Sequence, residues 1–246
     1  MREPLLSARA VSVRFGGLVA VDGVDLDVHA GELVGIIGPN GAGKTTFFHT
    51  LSGVLAPTSG RVVVAGEDLT GRAPHAFAAH GVARTFQTPR VFKEMPAVEN
   101  VRFGLEFAGR TRHHAHDAFD EAETILDFLG LSDAAAVPAG GLTPARQRLL
   151  EIGMALGARP RVLLLDEVAA GLTHAEVDAT AQLIRRVRDE LGLAVIWIEH
   201  AVHVLMNYVE RVAVLHQGAK IADGDPRAVA KNPAVVEAYL GEEVAA

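Results

Sequence analysis

Eight consecutive residues, Gly38-Pro39-Asn40-Gly41-Ala42-Gly43-Lys44-Thr45, limit what this chain can fold into more than any others. They match the pattern G-x-x-x-x-G-K-[ST], which carries meaning only when a strand precedes it and a helix follows. Both conditions are met, by the apolar run Leu33-Val34-Gly35-Ile36-Ile37 before it and a helical run from Thr46 to Leu51 after it. Glycines let the backbone curl so that successive N–H groups point at phosphate oxygens, and a helix N-terminus adds partial positive charge. Residues 38–45, with Thr46, are therefore candidates for holding a nucleoside triphosphate. Lys44 would neutralise the β- and γ-phosphates, and the Thr45 hydroxyl would ligate Mg²⁺. A glycine-rich turn without a ligand is the alternative, and the flanking strand and helix weigh against it.

Such a loop needs acids on a neighbouring strand, and Leu163-Leu164-Leu165-Asp166-Glu167 supplies them. Asp166 at the strand end is placed to hold Mg²⁺ through water, and Glu167 to orient and polarise an attacking water. The runs 33–37, 162–165 and 194–198 are continuously apolar, as expected of strands buried on both faces of a parallel sheet. Alternation at Val11 and Val13, then at Val24, Leu26 and Val28, reads instead as half-exposed strands of an antiparallel layer. The fold class is α/β, and ligands of such sheets sit at the carboxyl ends of the strands.

From about Pro89 to Arg159 strand signals give way to helical ones. Phe119, Ala122, Ile125, Leu126 and Leu129 share a helix face that Gly130 ends, and Thr143-Pro144 offers an N-cap and a first-turn proline for the next helix. The 246 residues, 49% hydrophobic, can bury a full core. A net charge of −7 without a long basic block argues against nucleic acid as a partner. Absence of cysteine removes disulfides and thiolate metal sites and fits a reducing compartment. The start, Met1 to Arg9, lacks the features of a secretory signal, and the apolar-rich stretch from Leu191 to Leu215 carries too many polar residues to span a bilayer as one helix. The cluster from Arg112 to Asp117, with His113, His114 and His116, matches no common ligand spacing and reads as a solvated surface rather than a metal site.

Further segments resemble one family over essentially the whole chain, the ATP-binding subunits of ABC transporters. Phe15 looks like the aromatic that stacks on adenine in that family. Arg84-Thr85-Phe86-Gln87 resembles the segment whose glutamine reaches Mg²⁺ and the attacking water and faces the membrane partner. Ile198-Glu199-His200 resembles the switch whose histidine contacts the γ-phosphate. Within the family, Arg14-Phe15-Gly16-Gly17 with Ala20-Val21, the segment from Asp166 to Leu172, and the end from Asn232-Pro233 to Tyr239-Leu240-Gly241 are most similar to subunits of branched-chain amino acid importers; subunits that move urea, amides or lipopolysaccharide look similar. The resemblance implies a P-loop NTPase fold with a mostly parallel core sheet, an N-terminal antiparallel β layer and a helical subdomain. It implies one domain over residues 1–246, with residues 1–88 and 159–246 as the ATP-binding core and 89–158 as the helical part. It further implies ATP with Mg²⁺ held by Thr45, Gln87 and Asp166, catalysis by Glu167, His200 and Gln87, and a peripheral place on the cytoplasmic face of the membrane. The partners implied are transmembrane permease subunits, a second ATP-binding subunit and, indirectly, a periplasmic or extracellular substrate-binding protein.

The pattern breaks at the family signature, where Leu-Ser-Gly-Gly-Gln is replaced by Leu142-Thr143-Pro144-Ala145-Arg146. Pro144 has no N–H to offer a γ-phosphate and Ala145 adds a methyl where close approach is expected, while Arg146 brings charge in compensation. Val168 replaces the usual proline after the catalytic acid. Thr173 stands where an aspartate or asparagine reaches across the dimer, and with Glu176 it also spells a capping box. These departures imply an asymmetric dimer in which Lys44, Gln87, Asp166, Glu167 and His200 complete a hydrolytic site with a partner's intact signature. Competing readings are a degenerate regulatory subunit that binds ATP without turnover, and a soluble ABC-type ATPase acting on ribosomes or DNA.

Overall fold

The computed structural model describes residues 3–107, 115–199 and 202–243, without the side chains of residues 107, 115–119, 203, 204 and 240–243. His200 and the histidine-bearing cluster from Arg112 to Asp117 thus lie outside the described residues or side chains. A hairpin of β1 (Leu6–Phe15) and β2 (Leu18–Val28) opens the chain, followed by β3 (Leu33–Ile37), α1 (Lys44–Leu51), β4 (Ser59–Val64), β5 (Glu67–Asp68), α2 (Pro74–Ala79) and β6 (Val82–Arg84). Three helices come next, α3 (Ala97–Phe107), α4 (Ala115–Phe128) and α5 (Pro144–Gly157). The chain then returns through β7 (Val162–Asp166), α6 (His174–Leu191), β8 (Ala194–Ile198), α7 (Val202–Tyr208), β9 (Arg211–His216), β10 (Ala219–Gly224), α8 (Pro226–Val229) and α9 (Pro233–Glu243).

Two sheets result. β2-β1-β4-β5 is antiparallel throughout, and β10-β9-β3-β8-β7-β6 is parallel except for its β10–β9 edge. The continuous apolar runs have their physical reason here, because the large sheet separates two cores. Leu163, Leu165, Val195 and Trp197 point into one core with the helices α3 to α6, while Val162, Leu164, Ile196 and Ile198 point into the other with α1 and the antiparallel layer. Strands with a core on each side have no use for polar alternation. Among the described residues no helix is long and apolar enough to cross a membrane.

Local signals act where the sequence puts them. Gly130 ends α4 at φ 69°, Thr143 caps α5 by accepting the Arg146 N–H, and Thr173 with Glu176 forms a complete capping box on α6. Since β3, β6, β7 and β8 run parallel, the segments after them emerge along one edge of the sheet.

Candidate functional site

That edge gathers the predicted residues that the structure describes, with Phe15 beside them on the other sheet. The loop at residues 38–43 leaves β3 and enters α1 at Lys44, with Gly43 as N-cap at φ 96°. A Cβ on Gly43 would lie 2.2 Å from the Ala20 carbonyl oxygen, and one on Gly38 would lie 2.1 Å from that of Leu215, so both positions exclude any side chain. Lys44 is buried, and its ammonium donates to the Gly38 carbonyl at 2.5 Å and the Pro39 carbonyl at 2.8 Å. Thr45 is exposed at the start of α1. An open cleft of about 500 Å³ is lined by Phe15, Leu18, Ala20, Gly41, Lys44, Thr46 and Gln217 among others. Phe15 is half exposed at its rim, at the turn between β1 and β2, where a flat base can reach its ring.

Asp166 and Glu167 sit at the end of β7, each only 4% exposed. Arg84, at the end of the adjacent β6, meets Asp166 Oδ2 at 3.2 Å and donates to Ser52 Oγ at 2.9 Å, with Phe48 and Phe86 in contact with its guanidinium. Burial lowers the Arg84 pKa and the Asp166 carboxylate opposes the shift. The Thr85 hydroxyl accepts the Asp166 N–H at 3.1 Å, which locks the two strand ends together. Gln87, exposed after β6, donates from Nε2 to Glu167 Oε2 at 2.7 Å. The glycine-rich loop, the two acids and Gln87 therefore share one sheet edge.

Glu167 adopts φ 50°, a left-handed conformation that costs a non-glycine residue of order 1–3 kcal/mol. Several bonds hold it there. Its N–H donates to the Ile198 carbonyl at 2.9 Å, its own carbonyl accepts Arg148 Nη1 at 2.7 Å, and the Ala169 N–H donates to Glu199 Oε1 at 2.7 Å. Sequence reasoning missed Arg148, and it treated Glu199 only as a neighbour of His200 and an interruption of an apolar stretch. It also missed Glu151 on α5, whose carboxylate accepts the N–H groups of Arg90 at 2.9 Å and Phe86 at 3.3 Å. The trace of both acids in the sequence is an apolar neighbour, Ile198 or Ile152, which does not say that the acid itself is sealed from water. Burial pushes both up to about 7; the Arg90 and Phe86 amides oppose this for Glu151, the Ala169 amide and the Trp197 indole N–H for Glu199.

The altered signature caps α5. Arg146, expected to compensate with charge, is paired with Asp133, and Thr173 is engaged by Glu176 at 2.7 Å.

Comparison with known proteins gives the family. Residues 21–170 match the family model described as ABC transporter, and residues 219–245 match one described as branched-chain amino acid ATP-binding cassette transporter. The high-affinity branched-chain amino acid transport ATP-binding protein BraF of Pseudomonas aeruginosa is 41% identical over 98% of this chain and 100% of its own length. The protein LivG of Escherichia coli strain K12, described in the same words, is 39% identical with the same coverage. A solved ATP-binding cassette of an ABC transporter in its ADP conformation superposes with a TM-score of 0.88 at 31% identity, covering 98% of this chain and 100% of that one. The chain belongs to the ABC transporter family, among its ATP-binding proteins of branched-chain amino acid type.

Proposed function

We propose that this chain energises import of branched-chain amino acids or closely related compounds by hydrolysing ATP at the sheet edge described above. It is an ATPase of the ABC type, and as such works with transmembrane permease subunits. The observation that carries the site assignment is the convergence of the loop at residues 38–45 with Asp166, Glu167 and Gln87. In this reading residues 38–46 bind the triphosphate, Phe15 stacks on adenine, Glu167 accepts a proton from the attacking water, and Gln87 orients that water beside it. His200 contacts the γ-phosphate. Catalysis comes mainly from positioning and charge stabilisation.

The donor set supports a magnesium ion. Among the described residues no cluster of three or more His, Cys, Asp or Glu could hold a metal by itself. A hydroxyl on Thr45 and a carboxylate on Asp166 are hard oxygen donors of the kind Mg²⁺ uses together with substrate phosphates, and Gln87 adds a carbonyl oxygen. When bound, the ion neutralises charge developing on the phosphoryl oxygens.

Residues 1–88 and 159–246 form the ATP-binding core of this single domain, and residues 89–158 its helical part. It docks peripherally on the cytoplasmic face of the membrane, pairs with a second ATP-binding subunit bearing an intact signature, and receives substrate that a periplasmic or extracellular binding protein delivers to the permease. Pro144 and Ala145 support the heteromeric pairing, because they remove a donor and add bulk where the opposite nucleotide is approached.

Equilibrium titration with MgATP tests the assignment. Lys44→Ala should weaken binding by about a hundredfold, the scale of a lost charge-assisted contact to phosphate. Glu167→Gln should bind ATP normally while turnover of the assembled transporter falls by about a hundredfold or more. Turnover intact in Glu167→Gln removes the catalytic assignment, and binding intact in Lys44→Ala removes the phosphate site.

A further inference from the structure

Helix α5 touches both segments that carry the proposed hydrolytic side chains, through two charged residues one turn apart. Arg148 and Glu151 stand at i and i+3, which face the same way on a helix. Arg148 donates to the Glu167 carbonyl at 2.7 Å and to the Ala170 carbonyl at 2.6 Å, gripping the turn that follows β7. Glu151 accepts the Phe86 and Arg90 amides, which bracket Gln87. Gln87 in turn reaches Glu167 at 2.7 Å. The contacts close a ring from α5 through Glu167 and Gln87 back to α5.

Glu151 is 5% exposed, between the fully buried Leu150 and Ile152. A carboxylate in such a place is costly unless it is well bonded. Its bonds go to residues 86–90, ahead of the support that Asn100, Met95 and Gly140 give Phe92 and Lys93. Among the described residues no amide from Phe86 to Glu94 donates to a backbone carbonyl; those of Phe86 and Arg90 go to Glu151, and that of Phe92 goes to Asn100. Neither strand nor helix fixes Gln87, so a side chain must.

We propose that Arg148 and Glu151 are positioning residues for ATP hydrolysis, with α5 holding Glu167 by its carbonyl and Gln87 by the amides on either side. The proposal rests on the assignment of Glu167 and Gln87 above. Neither residue reaches the reacting atoms, so their loss acts on turnover and leaves ATP affinity in place.

ATP affinity and turnover are measured on the chain assembled with its transporter partners. Glu151→Asp keeps the charge but withdraws the carboxylate by one carbon–carbon bond, and kcat should fall about ten- to a hundredfold, as sub-ångström to ångström misplacements do. Glu151→Gln keeps the reach and an acceptor oxygen, and should retain about a third of kcat or more. Arg148→Lys should lower kcat by about tenfold, because one ammonium cannot span the two carbonyls that the guanidinium fork spans. All three should bind ATP within about threefold of the unaltered chain. Values of kcat within about twofold for Glu151→Asp and Arg148→Lys overturn the proposal, as do losses matched by equal weakening of ATP binding. Should an altered chain fold poorly, hydrogen exchange on Glu151→Gln and Arg148→Lys replaces it. Amides of residues 168–172 in Arg148→Lys should exchange about fivefold faster or more, and unchanged exchange overturns the proposal. A chain that loses ATP binding in Lys44→Ala yet passes unaffected through these changes keeps its site and lacks this brace.

Discussion

At the scale of single residues, the site is braced by buried carboxylates whose state is set by burial working against the groups that donate to them. Glu199 is 2% exposed and accepts the Ala169 amide and the Trp197 indole N–H. Burial, helped by the nearby Glu167 carboxylate, raises its pKa from 4.5 to about 7 against the opposing pull of the Ala169 amide, the Trp197 indole N–H and Arg148. The folded chain therefore holds a proton that the unfolded chain has released across that window. Stability contributed by this group is greatest at the acid end and declines as pH rises through the window, by at most on the order of 3 kcal/mol. Glu151 shifts in the same direction, so the two acids share the slope. Glu199→Gln should remove roughly half of their combined pH dependence, gaining on the unaltered chain between pH 5 and pH 8 in urea unfolding. A gap between the two chains that does not change with pH contradicts this. Residues 38–45, Asp166 and Glu167 were legible because each motif is contiguous and defined by its own neighbours. Arg148, Glu151 and Arg84 were not, since their partners lie 19, 61 to 65 and 82 positions away.

Elements were legible in proportion to how strongly burial shaped them. β3, β7 and β8 are wholly buried and show it as unbroken apolar runs, while β10 is half buried along its whole length and offers no such pattern. α4 announces itself by its apolar face and terminal Gly130. The close contact of α3 with α5 carries no comparable local signal. A Cβ on Gly104 of α3 would fall 2.3 Å from the Met154 carbonyl oxygen of α5, and one on Gly157 would fall 2.9 Å from that of Val101. The helices meet backbone to backbone there, and only glycine permits it. Gly104→Ala should push them apart and cost about 1–3 kcal/mol, the usual range for overpacking, which a lowered thermal midpoint would report. Because α5 carries Arg148 and Glu151, turnover should fall further than the lost stability explains. A variant that melts with the unaltered chain shows that the helices tolerate the methyl.

At the scale of the whole molecule, the parallel sheet accounts for how residues from four distant segments come to share one edge. Under the proposed pairing with a second ATP-binding subunit, the altered signature at the start of α5 is what disfavours pairing of like chains. Replacing Pro144 and Ala145 together by glycine restores an N–H and removes a methyl. In a Glu167→Gln background, which on the proposed assignment keeps ATP unhydrolysed, the repaired chain should self-associate with ATP at least about tenfold more tightly in sedimentation measurements, the worth of roughly one additional charge-assisted hydrogen bond. It should also melt lower, because glycine in the first turn gives up what proline and alanine contribute to α5. Self-association unchanged by the repair means that the signature is not what limits pairing of like chains.

The sequence alone determined what short-range chemistry can determine: a glycine-rich loop between strand and helix, two acids at a strand end, the caps on α5 and α6, and the two-sided strands of an α/β core. Each of these is decided within a few residues by backbone conformation or by which faces meet water. Tertiary structure alone decided which polar groups would be sealed from solvent and against what. Glu151 and Glu199 are ordinary carboxylates in the chain as written, and their pKa values rise to about 7 only once the fold has removed their water. Desolvation is a property of the surroundings rather than of the residue, and those surroundings come from segments far away in the chain.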